Sequence, residues 1–247
     1  MLDYLYDGSF NGLLTCIHFS YYGERAKGIY NEKEYQTSLT NSFLKVKTDA
    51  QKAQAVYDGI RDKISEDALD RVYLIFLSSN VEKENIILAF VRLGFKLGNK
   101  VLSMHGDPVV YAAQQQENQV TLEKHRMLGL VRFSDIDGVL LSTIEPDHDI
   151  ITLLAPHFSD RYKEERVIIY DKKRKKAVFC YRGKWQSRSF DIEKHPELMK
   201  EEVKYRRLWM TYFENIAIKE RINPKCQKRC MPVRYWKHLP EVRIISV

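Results

Sequence analysis

Apolar and polar residues follow two different spacings along this chain, and the spacing changes near residue 127. Before that point, apolar side chains recur every three or four residues, which predicts amphipathic helices. Alternating patterns at residues 2–6 and 43–47 predict two short strands. The first half of the chain is therefore expected to be largely helical.

The helices of the first half are predicted from residues that cap helix N-termini. Ser, Thr and Asp side chains accept hydrogen bonds from first-turn amides, and Glu or Gln three residues later completes a capping box. The predicted starts are Ser9, Thr48-x-x-Gln51, Ser65, Ser79-x-x-Glu82 and Asp107-Pro108. The fourth of these helices is expected to run to Gly98 and the fifth to about residue 125.

After Met127 the apolar pattern has period two, which predicts strands. Asp137-Gly138 favours a two-residue hairpin turn between the first two of them. The predicted strands are 128–133, 139–144, 166–171, 177–181 and 184–190, with helices at 149–161 and about 197–219. The last three strands are separated by turns too short for a crossover helix, so antiparallel pairing is expected.

These elements predict an α+β fold, a mostly antiparallel sheet with helices before, between and after its strands. We expect a mainly helical part at 1–126, followed by the sheet, the C-terminal helix and a basic segment at 127–247. The two parts form either separate domains or one continuous domain.

Composition restricts the class of protein. The 247 residues are 44% apolar and 30% charged, as in soluble globular proteins. No run of eighteen apolar residues and no secretory signal are visible, so no membrane association is expected. Four cysteines in a chain of this length do not suggest a disulfide framework, and we expect a reducing, cytoplasmic location.

Charge is distributed unevenly around the net value of +7. Residues 1–160 contain 16 Lys and Arg against 22 Asp and Glu, whereas residues 161–247 contain 24 against 11. A basic C-terminal part predicts a polyanionic partner on that side of the chain.

The densest basic window is 219–237, with seven Lys or Arg residues against one acid, Glu220. Cations neutralise phosphates and aromatic rings stack on unpaired bases, so this window predicts a nucleic-acid contact, with Asn223 and Gln227 reading bases or sugars. The predicted contacts are Lys219, Arg221, Asn223, Lys225, Gln227, Arg229, Arg234, Tyr235 and Trp236. The alternatives are a solvated tail packed by Trp236, and a rival DNA contact at the five consecutive cations 172–176.

Acids and imidazoles are concentrated at Asp147-His148-Asp149 and His157. Such groups can supply a general base or bind a divalent metal ion, and Arg161 lies nearby in the sequence. The candidate catalytic residues are therefore His148, Asp149, His157 and Arg161, although Asp149 is equally suited to cap the following helix. No phosphate-binding loop, dinucleotide fingerprint or nucleophile elbow is present in the sequence.

Cys226-x-x-x-Cys230 resembles half of a metal site, with His238 as a third ligand. A structural zinc site needs a fourth ligand, which is missing at the usual spacing. Val233 occupies the position where a CxxxCxxC iron–sulfur motif has its third cysteine. We therefore expect neither a metal ion nor a cofactor.

Several motifs recur in the same order in one bacterial protein family. They are His125-x-x-x-Gly129-x-Val131-Arg132-Phe133, Pro146-x-His148-Asp149-Ile150, Leu154-Ala-Pro-His-Phe, Ile168-x-x-Asp171, Leu208-Trp-x-x-Tyr-Phe and Met231-Pro-x-Arg-Tyr-Trp. In these motifs the chain resembles a family described as DNA metabolism or DNA repair proteins. Family members are typically encoded beside a radical-SAM protein, and in some a similar domain is fused to a uracil-DNA-glycosylase-like domain.

The resemblance implies a DNA-related role shared with a radical-SAM partner. With the basic window, it favours a nucleic-acid-binding accessory protein in DNA repair or modification. Two alternatives remain open. One is an enzyme that acts on a nucleobase or phosphodiester through the candidate catalytic residues, and the other is an adaptor whose basic face docks on an acidic protein.

Overall fold

The computed structural model of the chain describes residues 2–36, 42–195, 208, 210–212, 215–216, 218 and 223–239. The chain divides into two compact units, residues 1–121 and 122–247, and the boundary lies within a helix. The fold is α+β as expected, but its sheets are less antiparallel than the sequence suggested.

The first unit is built on a three-stranded parallel sheet with strand order β2-β1-β3. Its strands are β1 (Leu2–Tyr6), β2 (Gly28–Asn31) and β3 (Ser42–Lys45). Its helices are α1 (Phe10–Tyr22), α2 (Ala50–Lys63), α3 (Glu66–Phe76), α4 (Lys83–Leu97) and α5 (Pro108–Leu130), with a 3-10 helix at Gly98–Ser103. The central strand carries Tyr4 and Tyr6, which are buried in an apolar cluster with side chains of α1 to α5.

Three of the predicted helix starts are confirmed. The hydroxyl of Ser9 accepts a hydrogen bond from the Gly12 amide at 3.0 Å, and α1 follows. Ser65 caps α3 in the same way, through the Ala68 amide at 3.1 Å. Asp107 accepts from the Val109 amide at 2.8 Å before Pro108 opens α5. Each cap satisfies an amide that has no partner inside the helix.

Helix α2 is capped one residue later than predicted. The carboxylate of Asp49 accepts hydrogen bonds from the amides of Gln51 and Lys52, at 3.0 and 3.1 Å. The hydroxyl of Thr48 instead donates to Asp7 at 2.8 Å. The adjacent carboxylate therefore takes the capping role, and Thr48 is engaged with the turn after β1.

The predicted start of α4 at Ser79 is wrong, because the helix begins at Lys83 after Glu82. Asn80 accepts a hydrogen bond from the Glu82 amide at 2.8 Å, which holds the chain in a turn before the helix. The predicted end is confirmed, since Gly98 follows α4 with a φ of 61°.

The second unit is built on a five-stranded mixed sheet with strand order β4-β5-β6-β7-β8. Its strands are β4 (Ser134–Ile136), β5 (Val139–Ile144), β6 (Arg166–Asp171), β7 (Lys176–Tyr181) and β8 (Lys184–Ser189). Its described helices are α6 (Ile151–Arg161) and α7 (Pro224–Cys230), with 3-10 helices at Ile192–Lys194 and Val233–His238. Helix α6 packs against β6, β7 and β8 and buries Leu154 and Phe158.

The hairpin at Asp137-Gly138 is confirmed. The two residues have φ values of 52° and 80°, as a type I′ turn requires. The strand predicted at 128–133 is wrong because α5 continues to Leu130, and the Val131 amide still bonds to the Met127 carbonyl at 3.0 Å. Strand β4 consequently begins only at Ser134.

The pairing of β5 with β6 departs from the mostly antiparallel sheet that the sequence predicted. These two strands are parallel, because α6 lies between them in the chain as a crossover helix. The chain therefore enters β6 at the same end of the sheet as it entered β5. The antiparallel pairing of β6, β7 and β8 is confirmed.

The helix predicted at 197–219 falls mostly outside the described residues; residues 208, 210–212 and 215–216, which are described, are helical. In the part of the chain that the structure describes, we find no helix with the length and apolarity to cross a membrane.

Candidate nucleic-acid interface

The basic window 219–237 is described from residue 223 onward, so Lys219 and Arg221 lie outside the described residues. Asn223 caps α7 by accepting a hydrogen bond from the Cys226 amide at 3.0 Å. Asn223 was expected to read a base or sugar, and this contact engages its side-chain oxygen within the helix cap. Gln227 is half-buried on the same helix.

Three cations of this window remain exposed on α7. Lys225, Lys228 and Arg229, here called the α7 cations, have no ion pair with any described residue. Arg126 from α5 donates to the Arg229 carbonyl at 3.4 Å, which brings a further positive charge to the C-terminus of α7.

The two remaining described cations of the window are paired with acids. Arg234 pairs with Asp147 at 2.9 Å, and Lys237 pairs with Glu145 at 2.5 Å. The Lys237 ammonium beside Glu145 lowers the pKa of that carboxyl. Arg234, which was expected to contact phosphate, therefore already has a carboxylate partner.

The two aromatic side chains of the window make structural contacts within the second unit. Tyr235 is 2% exposed, and its hydroxyl donates to the carboxylate of Glu123. The half-buried Trp236 donates from its indole nitrogen to the Met231 carbonyl at 2.8 Å. The prediction that Tyr235 stacks on a base is wrong, because its buried ring offers no free face.

The first two candidate catalytic residues, His148 and Asp149, also take part in contacts that hold the second unit together. His148 is 8% exposed, and desolvation by burial lowers its pKa. Its backbone amide donates to Glu123 at 2.7 Å. Asp149 does not cap α6, because Ile150 occupies that position and the Asp149 carboxylate pairs with Lys176 at 3.0 Å.

His157 and Arg161 occupy a different environment. Both are exposed on α6, four residues apart, where the His157 ring meets Phe158 and the Arg161 guanidinium lies 5.7 Å from the Tyr162 ring. Neither has a hydrogen bond or ion pair with a described residue. Two candidates are thus buried or paired and two are exposed. The described residues contain no group of three His, Cys, Asp or Glu side chains that could hold a metal ion.

The two C-terminal cysteines are exposed, one turn apart on α7. His238, considered above as a third ligand, lies 3.3 Å from Glu145. Among the described residues, nothing joins these three side chains.

The rival cationic turn at 172–176 is largely structural. Arg174 pairs with the fully buried Asp171 at 2.8 Å and donates to the carbonyls of Pro146 and Asp147. Lys175 and Lys176 pair with Asp191 and Asp149. Only the side chains of Lys172 and Lys173 stay exposed without an ion pair among the described residues.

One face of the five-stranded sheet forms a basic and aromatic surface that sequence reasoning missed. Residues directly opposite one another on paired strands share a face. The register and ring contacts place three cross-strand rows on this face: Val139-Arg166-Tyr181-Lys184, Leu141-Ile168-Phe179-Gln186 and Thr143-Tyr170-Ala177-Arg188. None of these residues is acidic.

The cations of this surface have aromatic neighbours in place of acids. Arg166 and Arg182 lie 5.9 and 5.1 Å from the centre of the Tyr181 ring, and Arg188 lies 4.2 Å from that of Phe179. These three residues and Lys184, here called the sheet-face cations, are exposed and have no ion pair with any described residue. Two of them, Arg166 and Lys184, line an open groove of about 640 Å³ formed by strands β5 to β8.

The signal for this surface was present in the sequence but divided among strands. Tyr181, Arg182, Lys184 and Arg188 fall within eight residues, yet Arg166 and Phe179 come from other strands. Runs of consecutive cations occur in turns and tails, whereas a sheet brings together cations that are distant in sequence.

The fold and these surfaces define an α+β protein whose second unit carries an acid-free basic and aromatic sheet face. Residues 81–241 match a family described as Domain of unknown function (DUF4130), and the chain belongs to this family. The comparison with curated proteins found no match.

Proposed function

We propose that this protein is a DNA-binding accessory protein that acts beside a radical-SAM enzyme in DNA repair or modification. The DNA-binding part rests on the exposed cations of the second unit that have no ion pair with a described residue. The sheet-face cations and the α7 cations are two groups of them. Lys and Arg that neutralise phosphates release condensed counterions, which supplies most of the affinity of non-specific binding.

The radical-SAM part of the proposal rests on the sequence motifs shared with the DNA metabolism family. The chain has Val233 where a cluster-binding motif would need its third cysteine. Any iron–sulfur cluster of such a reaction therefore belongs to the partner, and this chain would contribute affinity for DNA.

The test compares three variants that each lose three positive charges. One replaces Arg166, Lys184 and Arg188 of the sheet face by Gln, and one replaces the α7 cations by Gln. The matched control replaces Lys63, Lys96 and Lys100 of the first unit, which are exposed and have no ion pair with a described residue. Affinity for a labelled oligonucleotide is measured by fluorescence anisotropy at several salt concentrations.

We expect the control to keep the affinity and salt dependence of the natural chain. Each lost phosphate contact should reduce the slope of log K against log salt by about one, so the sheet-face variant should lose about three. The α7 variant should lose affinity as well. The proposal fails if the control loses as much affinity as the other two variants.

A further variant separates the accessory role from the two alternatives. In it, His148 and Asp149 are replaced by Ala, and an accessory protein should keep its DNA affinity and lose no enzymatic activity. A turnover that disappears in this variant would show an enzyme instead. An adaptor would show salt-dependent binding to the partner protein and none to DNA.

A further inference from the structure

We infer that the acid-free sheet face binds single-stranded DNA, with an unpaired base stacked on Tyr181 and the backbone held by the sheet-face cations. This inference rests on the proposed DNA binding and adds to it the strandedness of the ligand and the residue that recognises it. It is carried by the position of an exposed aromatic ring among cations that have no ion pair with a described residue.

Tyr181 has the placement that a stacking residue needs. Its side chain is 44% exposed, at the end of β7, whereas the other tyrosine of the three rows, Tyr170, is 2% exposed. Tyr181 lies directly opposite Lys184 across the strand pair, and two guanidinium groups lie within 6 Å of its ring. A base stacked there would have phosphate partners on both neighbouring strands.

The row beside Tyr181 adds apolar and polar side chains, whereas in the third row Tyr170 and Ala177 are buried and Arg188 is exposed. Phe179 and Ile168 are half-buried and give the groove an apolar floor. Gln186 is exposed in the same row and can donate to and accept from a base edge. Arg188 stands one row further, about 13 Å along β8 from Lys184 at 3.3 Å per residue.

The shape of this surface favours an unpaired strand. Duplex DNA is read by a helix or a two-stranded ribbon that enters a groove, and its base faces are hidden in the stack. A face four strands wide does not enter such a groove, whereas splayed bases can lie on it and stack on its aromatic residues. The open groove of about 640 Å³ lies within the size range of small-ligand sites.

The test uses the full chain with three ligands of equal length: a labelled single strand, the corresponding duplex and a strand of abasic residues that keeps the phosphates. The variants are Tyr181→Leu, which removes the ring, and Tyr181→Phe, which keeps it. Tyr111→Leu is the matched control, because Tyr111 is 56% exposed on α5 in the first unit. Circular dichroism and thermal unfolding check that each variant is folded.

We expect the natural chain to bind the single strand more tightly than the duplex or the abasic strand. Tyr181→Leu should weaken single-strand binding about tenfold, as the loss of one stacked base predicts, and should leave abasic-strand binding within about twofold. Tyr181→Phe and Tyr111→Leu should match the natural chain. If Tyr181→Leu is folded and still prefers the single strand over the abasic strand as the natural chain does, the inference is wrong.

Two outcomes distinguish this inference from the proposed function. Tight binding of duplex and single strand with no effect of Tyr181→Leu would leave DNA binding intact and overturn the stacking role. Absence of binding to all three ligands at low salt would overturn both.

Discussion

The buried carboxylate of Glu123 is the residue on which the second unit's loops converge. It is 3% exposed and accepts from the amides of Asp147 and His148 and from the hydroxyl of Tyr235. A buried carboxylate is costly unless donors surround it. These three contacts tie the loop before α6 and the C-terminal segment to α5.

Removing one of these donors should destabilise the protein. Tyr235→Phe deletes the hydroxyl and leaves a buried carboxylate oxygen with one partner fewer, so the free energy of unfolding should fall by about 1–3 kcal/mol. Tyr111→Phe is the control, because the Tyr111 hydroxyl has no hydrogen bond with a described residue. Urea denaturation measures both, and equal stabilities of the two variants would contradict the role of Glu123.

The imidazole of His148 should make stability depend on pH. Burial lowers its pKa below the ordinary 6.5; the neighbouring Glu123 and Asp147 oppose this shift, and Arg174 and Arg234 support it. The unfolded chain therefore binds a proton at a higher pH than the folded chain. The contribution is complete above pH 6.5 and is lost as pH falls toward the folded pKa.

The measurement is an NMR titration of the His148 ring together with the unfolding free energy of His148→Gln between pH 7 and 5. The ring should titrate below 6.5, and the variant should lose less stability than the natural chain as pH falls. A titration midpoint above 6.5 would be incompatible with burial as the dominant cause.

At the scale of elements, two glycines should respond to Ala with opposite signs. Gly138 has a φ of 80° in the β4–β5 turn, so Gly138→Ala should cost about 1 kcal/mol. Gly129 lies in α5, where an added Cβ meets nothing within 4 Å, so Gly129→Ala should stabilise by about 0.5–1 kcal/mol. Urea denaturation of the two variants measures both free energies of unfolding. Changes of the same sign would contradict the prediction.

Local signals predicted the elements better than their pairing. Ser9, Ser65 and Asp107 mark true helix starts because capping depends on a few neighbouring residues. The parallel pairing of β5 with β6 depends on how α6 packs, and the parallel sheet of the first unit joins strands separated by long segments. Neither is encoded in a short window.

The candidate site shows the same limit. The cation density of 219–237 was visible in the sequence, but the acids that pair with Arg234 and Lys237 lie about 90 residues earlier, at Asp147 and Glu145. Whether a cation is free for DNA depends on such distant acids. The sheet face has no acidic side chain in its three rows, and only strand register makes this apparent.

At the scale of the whole molecule, charge is divided between the two units. Residues 1–121 contain 13 Lys and Arg against 15 Asp and Glu, whereas residues 122–247 contain 27 against 18. An excess of positive charge attracts polyanions to the second unit, and the first unit has no such excess.

Hydrogen exchange should therefore respond to DNA in one unit. A ligand that binds only the folded state, present at 100 times its Kd, stabilises by about 2.7 kcal/mol and slows exchange through unfolding about 100-fold. We expect amides of β6, β7 and β8 to gain this protection with a saturating single strand, and amides of β1 and β2 to change little. Exchange of the intact chain, with and without the strand, is followed by mass spectrometry. The sheet-face variant with Gln at Arg166, Lys184 and Arg188 should lose the effect at the same DNA concentration. Protection that appears first in β1 and β2 would place the DNA on the first unit and contradict the assignment.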